Sequence, residues 1–224
     1  EEALLGGGLA AGLVSIRRAV DISGAVHDRG IKAEANIALA NILIRVGLLD
    51  EAARRLADAT ALAHADERDD LRRLCHGLRA WVSLDQNPRS RASAASAVDR
   101  ILPMLKGSEG RGKQPEDALL YAIWARASAV LGDRNTHSRA AEFAFAWAEH
   151  VEVPLALGIR LQVARGMLVF RDLEGAREAI RPVVSQRDRY PLLGWEAARL
   201  LALLDGGLVP DAGALALGLD PTVV

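Results

Sequence analysis

The sequence of 224 residues holds one cysteine, three lysines and few aromatic residues, and each scarcity excludes something. A single cysteine, Cys75, rules out an internal disulfide and fits a reducing compartment. Aromatic residues make up 4%, low for an all-β domain and ordinary for a helical array built from Ala, Leu and Arg. A net charge of -1 gives no overall field to draw in nucleic acid or an acidic membrane surface. No apolar run approaches the ~18–20 residues that a spanning helix needs, and the basic stretch of a signal peptide is missing from the N-terminus. The expectation is a cytoplasmic chain that does not enter a membrane. It opens on Glu1, in what reads as the tail of a helix, and is therefore expected to be a segment of a longer protein. Lysine occurs only at Lys32, Lys106 and Lys113, so nearly all the positive charge sits on planar guanidinium forks suited to carboxylate or phosphate.

Half the residues are hydrophobic and a quarter are charged, a globular composition on a chain long enough to bury a core. Strand-like alternation is almost absent, whereas helical periodicity is nearly continuous. Breaks recur at Gly30, Gly47, Asp85 to Pro88, Gly107 to Pro115, Gly132 to Asn135, Val153-Pro154, Asp172, Tyr190-Pro191 and Gly206-Gly207. They predict helices near 9–28, 31–46, 49–64, 67–84, 90–106, 115–131, 136–150, 154–170, 173–187 and 191–205, about ten in all. Pro103 and Pro182 fall inside two of these, where proline kinks or ends a helix. The organisation expected is all-α, a single array over 1–224, with 107–115 as an inter-repeat linker and 206–224 as a C-terminal capping segment.

The hairpins share a frame. Leu39-Ala40, Leu43, Gly47, Ala52, Leu56 and Ala59 follow one another as large-plus-small pair, aliphatic residue, turn glycine, then alanine, large residue and alanine. Tyr121, Trp124-Ala125, Ser128, Gly132, Ala141, Phe145 and Ala148 repeat it, as do Val163-Ala164, Met167, Asp172, Ala176, Ile180 and Val183. Looser copies run through Leu74, Gly77-Leu78 and Trp81, and through Ala197-Ala198 and Leu201. Small residues let two helices cross at ~8–10 Å while large ones fill the space beside the crossing. This frame resembles the tetratricopeptide repeat. The resemblance implies a right-handed α-solenoid of antiparallel helix hairpins, in which each hairpin packs on its neighbours and the array holds a partner rather than performing chemistry. Degenerate repeats of this kind are similar to those in the C-terminal regions of large bacterial signalling regulators. The copies depart from the family in spacing, stretched by the long Gly107 to Pro115 connection and the Arg134 to His137 turn, and His64 stands where the best copy should carry the closing proline.

Few constellations carry chemistry. Gly107-Ser108-Glu109-Gly110-Arg111-Gly112-Lys113 matches the spacing of a phosphate-binding loop, yet Gln114 and Pro115 follow the lysine and a helix precedes the segment, so it reads as a solvated linker. Gly6, Gly8 and Gly12 lack the preceding strand of a dinucleotide fingerprint. His27, His64, His76, His137 and His150 show no metal-ligand spacing, and the acids beside His64 (Asp66, Glu67, Asp69 and Asp70) suit a helix N-terminus. Cys75 and His76 are adjacent and point about 100° apart on a helix, a poor nucleophile–base pair. No enzyme, no cofactor and no metal are expected. Trp81 and Trp124 fall in the packing frame, where core is the default; Trp147 and Trp195 are left open.

One column remains. Counting six residues back from Gly47, Asp85, Gly132, Arg171 and Asp205 reaches Asn41, Arg79, Arg126, Arg165 and Arg199. By the resemblance that place lines the concave groove, where four guanidiniums and an amide would form a solvent-exposed ladder of donors. The expected function is a non-catalytic interaction module, a sensor or docking arm whose arginine-lined groove takes a protein or peptide with acidic groups. Behind it stand a homo-oligomeric scaffold joined through an end repeat, and then nucleic-acid binding along the ladder.

Overall fold

A computed structural model describes residues 9–25, 27–106 and 115–206. Among the described residues the chain is all-α, with ten helices and no strand: α1 (Leu9–Ala25), α2 (Arg29–Arg45), α3 (Leu49–Ala65), α4 (Asp69–Gln86), α5 (Arg91–Lys106), α6 (Pro115–Leu131), α7 (Arg134–Ala148), α8 (Val153–Val169), α9 (Leu173–Ser185) and α10 (Pro191–Leu204). All ten expected helices are present. Pro103 and Pro182 end neither host, since α5 and α9 each run three residues further. The phosphate-loop look-alike, most of the linker, the capping segment beyond Gly206, Gly6 and Gly8 lie outside the described residues.

Hairpin turns use one recurrent device. Gly47 (φ 83°), Gly132 (φ 86°) and Arg171 (φ 57°) adopt left-handed backbone conformations just past α2, α6 and α8. The amide after each donates back to the helix it leaves: Leu48 to Leu43, Asp133 to Ser128 and Asp172 to Met167, at 2.9–3.0 Å. Asp133 and Asp172 then cap the following helix, accepting from the amides of Thr136 and Gly175. One aspartate thus ends a helix with its backbone and begins the next with its side chain.

Every helix packs on its sequence neighbours, and α2, α4, α6, α8 and α10 also pack on one another in succession. Burial follows from this. The odd helices bury one stripe, such as Ala52, Leu56, Ala59 and Ala63 on α3, or Ala176, Ala179, Ile180 and Val183 on α9. The even helices meet neighbours on several sides and bury residues nearly all round, as in Ala125, Arg126, Ala127 and Ser128 of α6. Trp81 and Trp147 are both core. At the α6–α8 crossing Gly166 comes so close to α6 that an added Cβ would lie 3.3 Å from the Cα of Arg126.

Candidate functional site

The even helices bring charged side chains together in their shared layer. Arg126 of α6 lies 2.6 Å from Asp85 of α4, and donates to the side-chain oxygen of Gln162 at 2.8 Å and to the carbonyl of Leu84. Asp85 also accepts from Trp81 Nε1 at 2.7 Å and meets Arg165 Nη1 of α8 at a longer 3.5 Å. Arg165 turns its other nitrogen to Glu196 of α10, 2.7 Å away, and Glu196 accepts from Arg45 of α2 at 2.9 Å. Arg45 lies over the Trp81 ring, 5.0 Å from its centroid. The order is Arg126–Asp85–Arg165–Glu196–Arg45, and each of the five even helices supplies one member.

Small and aromatic residues shape this chain. Gly158 on α8 leaves the space for Arg45, since a Cβ there would fall 2.6 Å from Nη2. Arg45, Arg126 and Glu196 have side chains 7%, 6% and 3% exposed, whereas Asp85 and Arg165 are each 19% exposed and form its most open part. Three guanidiniums face two carboxylates, so the group carries an excess positive charge where charge is costly to isolate. Burial would raise the Asp85 carboxyl, but Arg126 and Arg165 outweigh it and hold Asp85 below its ordinary range. Burial likewise lowers Arg165, and Glu196 with Asp85 more than offsets that, so this middle guanidinium gains basicity. Burial dominates at Arg45 and Arg126, whose basicity falls.

The sequence-derived column divides. Arg126 and Arg165 occupy equivalent places six residues before a left-handed turn residue, and the structure joins them through Asp85. The expected solvent-exposed ladder is corrected at Arg126, which is buried and taken by a carboxylate of another helix. Arg79 does not join them: it lies about 120° around α4 from Asp85 and acts on His76 and on Arg100 of α5 instead. Arg199 rests over the ring of Trp195, its own neighbour on α10, with Nε unpartnered. Its register shifts because Gly206, not Asp205, takes the left-handed conformation. Asn41 sits one turn before Arg45 on α2, with its side-chain oxygen shielded and unpartnered. Sequence reasoning missed Arg45, Asp85 and Glu196. Asp85 opens the stretch that the sequence pattern reads as a turn, yet α4 continues through Gln86.

No family model matches the chain, and no curated protein matches it. Among the described residues no group of His, Cys, Asp and Glu side chains is arranged to hold a metal ion, and no helix is long and apolar enough to cross a membrane.

Proposed function

We propose that the chain is a tetratricopeptide-like, right-handed α-solenoid acting as a non-catalytic interaction module that holds an acidic segment of a partner. The repeat reading is supported by the alternation of packing: neighbours pair as hairpins while α2, α4, α6, α8 and α10 form a layer of their own. The excess guanidinium of the inner layer carries the functional reading. Asp85 and Glu196 stand where a partner's carboxylates would stand, and they leave Arg165 Nη1 with only a 3.5 Å contact in the most open part of the chain. A glutamate or aspartate arriving there meets a donor already oriented by its neighbours.

The test is a fluorescence-anisotropy titration with a Glu/Asp-rich peptide and its Gln/Asn counterpart. The acidic peptide should bind and the neutral one should not, and affinity should fall as salt rises. Arg165→Gln should abolish the difference while leaving the fold intact, because Arg126–Asp85 and Arg45–Glu196 remain as two balanced pairs. Equal binding of both peptides, or none, overturns the reading.

A further inference from the structure

A cavity of about 220 Å³ opens between α7 and the end of α8, lined among others by Arg134, His137, Glu142, Phe145, Met167 and Phe170. Arg134 and Glu142 stand about two turns of α7 apart, so the cavity has a cation toward one end and an acid toward the other. The Arg134 guanidinium lies over the Phe170 ring, 4.8 Å from its centroid. That ring supports one face of the fork and leaves its N–H edge for something else. Among the described residues neither Arg134 nor Glu142 forms an ion pair. A further carboxylate in the wall, Asp172, is engaged by the Gly175 amide as the cap of α9.

His137 gives the cavity a fixed acceptor. The residue is only 5% exposed, and its Nδ1, 2.9 Å from the Ala125 carbonyl, donates to it. In the neutral ring Nε2 is then the acceptor. Cε1 is turned to Gly166, where an added Cβ would come within 2.7 Å, and the Phe170 ring meets the imidazole edge to face at 5.3 Å. With those sides occupied, the edge that carries Nε2 is the one left toward the cavity. Nε2 has no hydrogen-bond partner among the described residues. Burial lowers the basicity of His137 by more than the Ala125 carbonyl and Asp172 raise it, so the ring stays neutral and Nε2 keeps its lone pair. Folded chains almost always match polar groups so placed, and here no side chain does.

We propose that this cavity binds a free amino acid with an apolar side chain, its carboxylate on Arg134, its ammonium donating to His137 Nε2 and its side chain against Phe145 and Met167. Arg134 and His137 are three residues apart on α7 and therefore neighbours on its surface. A donor fork beside a lone-pair acceptor matches a carboxylate and an ammonium borne on one carbon. Glu142 supplies the counter-charge to the ammonium. A simple anion would meet Glu142 and Asp172 as well as Arg134, and a simple cation would leave the Arg134 fork unmatched; a zwitterion answers both. The volume is below that of pockets for drug-sized ligands and suits a molecule of amino-acid size, and the wall mixes apolar side chains with a few convergent polar groups. None of these residues belongs to the Arg126–Asp85–Arg165–Glu196–Arg45 chain, so this site stands or falls independently of the acidic-partner reading.

The experiment is a calorimetric titration of the full chain with leucine, N-acetylleucine, leucinamide and glycine, with the His137 ring signals followed by NMR alongside. Leucine should saturate and shift the His137 signals. N-acetylleucine lacks the ammonium and leucinamide the carboxylate, and each should bind about tenfold more weakly or worse, since one charge-assisted contact goes. Glycine should also bind more weakly, because it brings nothing to Phe145 and Met167. Arg134→Gln should erase the preference for leucine over leucinamide, and Glu142→Gln should reduce the preference over N-acetylleucine. Both side chains are exposed and unpaired among the described residues, so both variants should keep their helical content. Arg165→Gln should bind leucine as the natural sequence does. No saturation at millimolar leucine, saturation that leaves His137 unmoved, equal or tighter binding of either blocked form, or an unchanged preference in Arg134→Gln overturns the proposal.

Discussion

Arg45 and Glu196 are 151 positions apart in the chain and 2.9 Å apart in space. Each has one further neighbour: Glu196 shares itself between Arg45 and Arg165, the latter 2.7 Å away, and Arg45 has Trp81 on its face. Glu196→Gln should therefore strand two guanidiniums and cost ~3–5 kcal/mol, the range for breaking a buried ion pair from one side. Arg165→Gln leaves two carboxylates against two guanidiniums and should cost markedly less. Urea unfolding of both variants checks the order, and equal losses would show that the five groups do not share charge as described.

Acid should act on stability in two stages. The His76 and His137 rings both lie below their ordinary value of 6.5, chiefly through burial. The unfolded chain therefore takes up these protons first, and the stability they contribute is present above 6.5 and lost as pH falls below it. Asp85 is held below 3.8 in the folded chain, so its contribution persists further and is lost only as pH falls from there through the folded value. The melting temperature should be level near pH 7 to 8, decline below about 6.5 and decline again below about 4. His76→Gln should shrink the first decline and leave the second.

Helix crossings supply a steric prediction. Ala125 is fully buried, and its carbonyl accepts from His137 Nδ1 at 2.9 Å. Ala125→Leu should overpack the core around α6, α7 and α8 and destabilise by ~1–3 kcal/mol. At Gly166 an alanine Cβ would come 2.7 Å from His137 Cε1, so Gly166→Ala should move the ring and break that hydrogen bond. Loss of the exchange-slowed His137 ring proton is the signature; a retained signal with unchanged stability would put the crossing elsewhere.

The left-handed turns can be read in the opposite direction, as a gain. Arg171 holds φ 57° where Gly47 and Gly132 hold theirs at matching places. A residue with a Cβ costs roughly 1 kcal/mol or more in that conformation. Arg171→Gly should recover most of it, and Gly132→Ala should lose a similar amount, since an added Cβ there meets nothing within 4 Å and the cost is conformational alone. Paired thermal melts decide it.

How far the structure was legible depended on the range of the interaction. Helices were legible because periodicity and the stops at Gly47, Gly132 and Gly206 are local. Arg126 and Arg165 were legible because each can be counted from its own turn. Arg79 failed that count: α4 runs on through Gln86 without a left-handed stop, so the register borrowed from Asp85 was arbitrary. Asp85 and Glu196 left no trace. An aspartate near a helix end and a glutamate after a tryptophan are ordinary on a surface, and only the stacking of even helices brings them to arginines 80 and 151 residues away.

In a stack whose members touch only near neighbours, either end can fray while the other stays protected. The bond from α2 to α10 removes that freedom. Loosening α10 withdraws Glu196 and leaves Arg45 charged and shielded on a helix near the opposite end, so an opening that begins at one terminus is felt at the other. Slow hydrogen exchange in α2 and α10 should then rise together, as though the two were one element that the chain happens to write in two distant places.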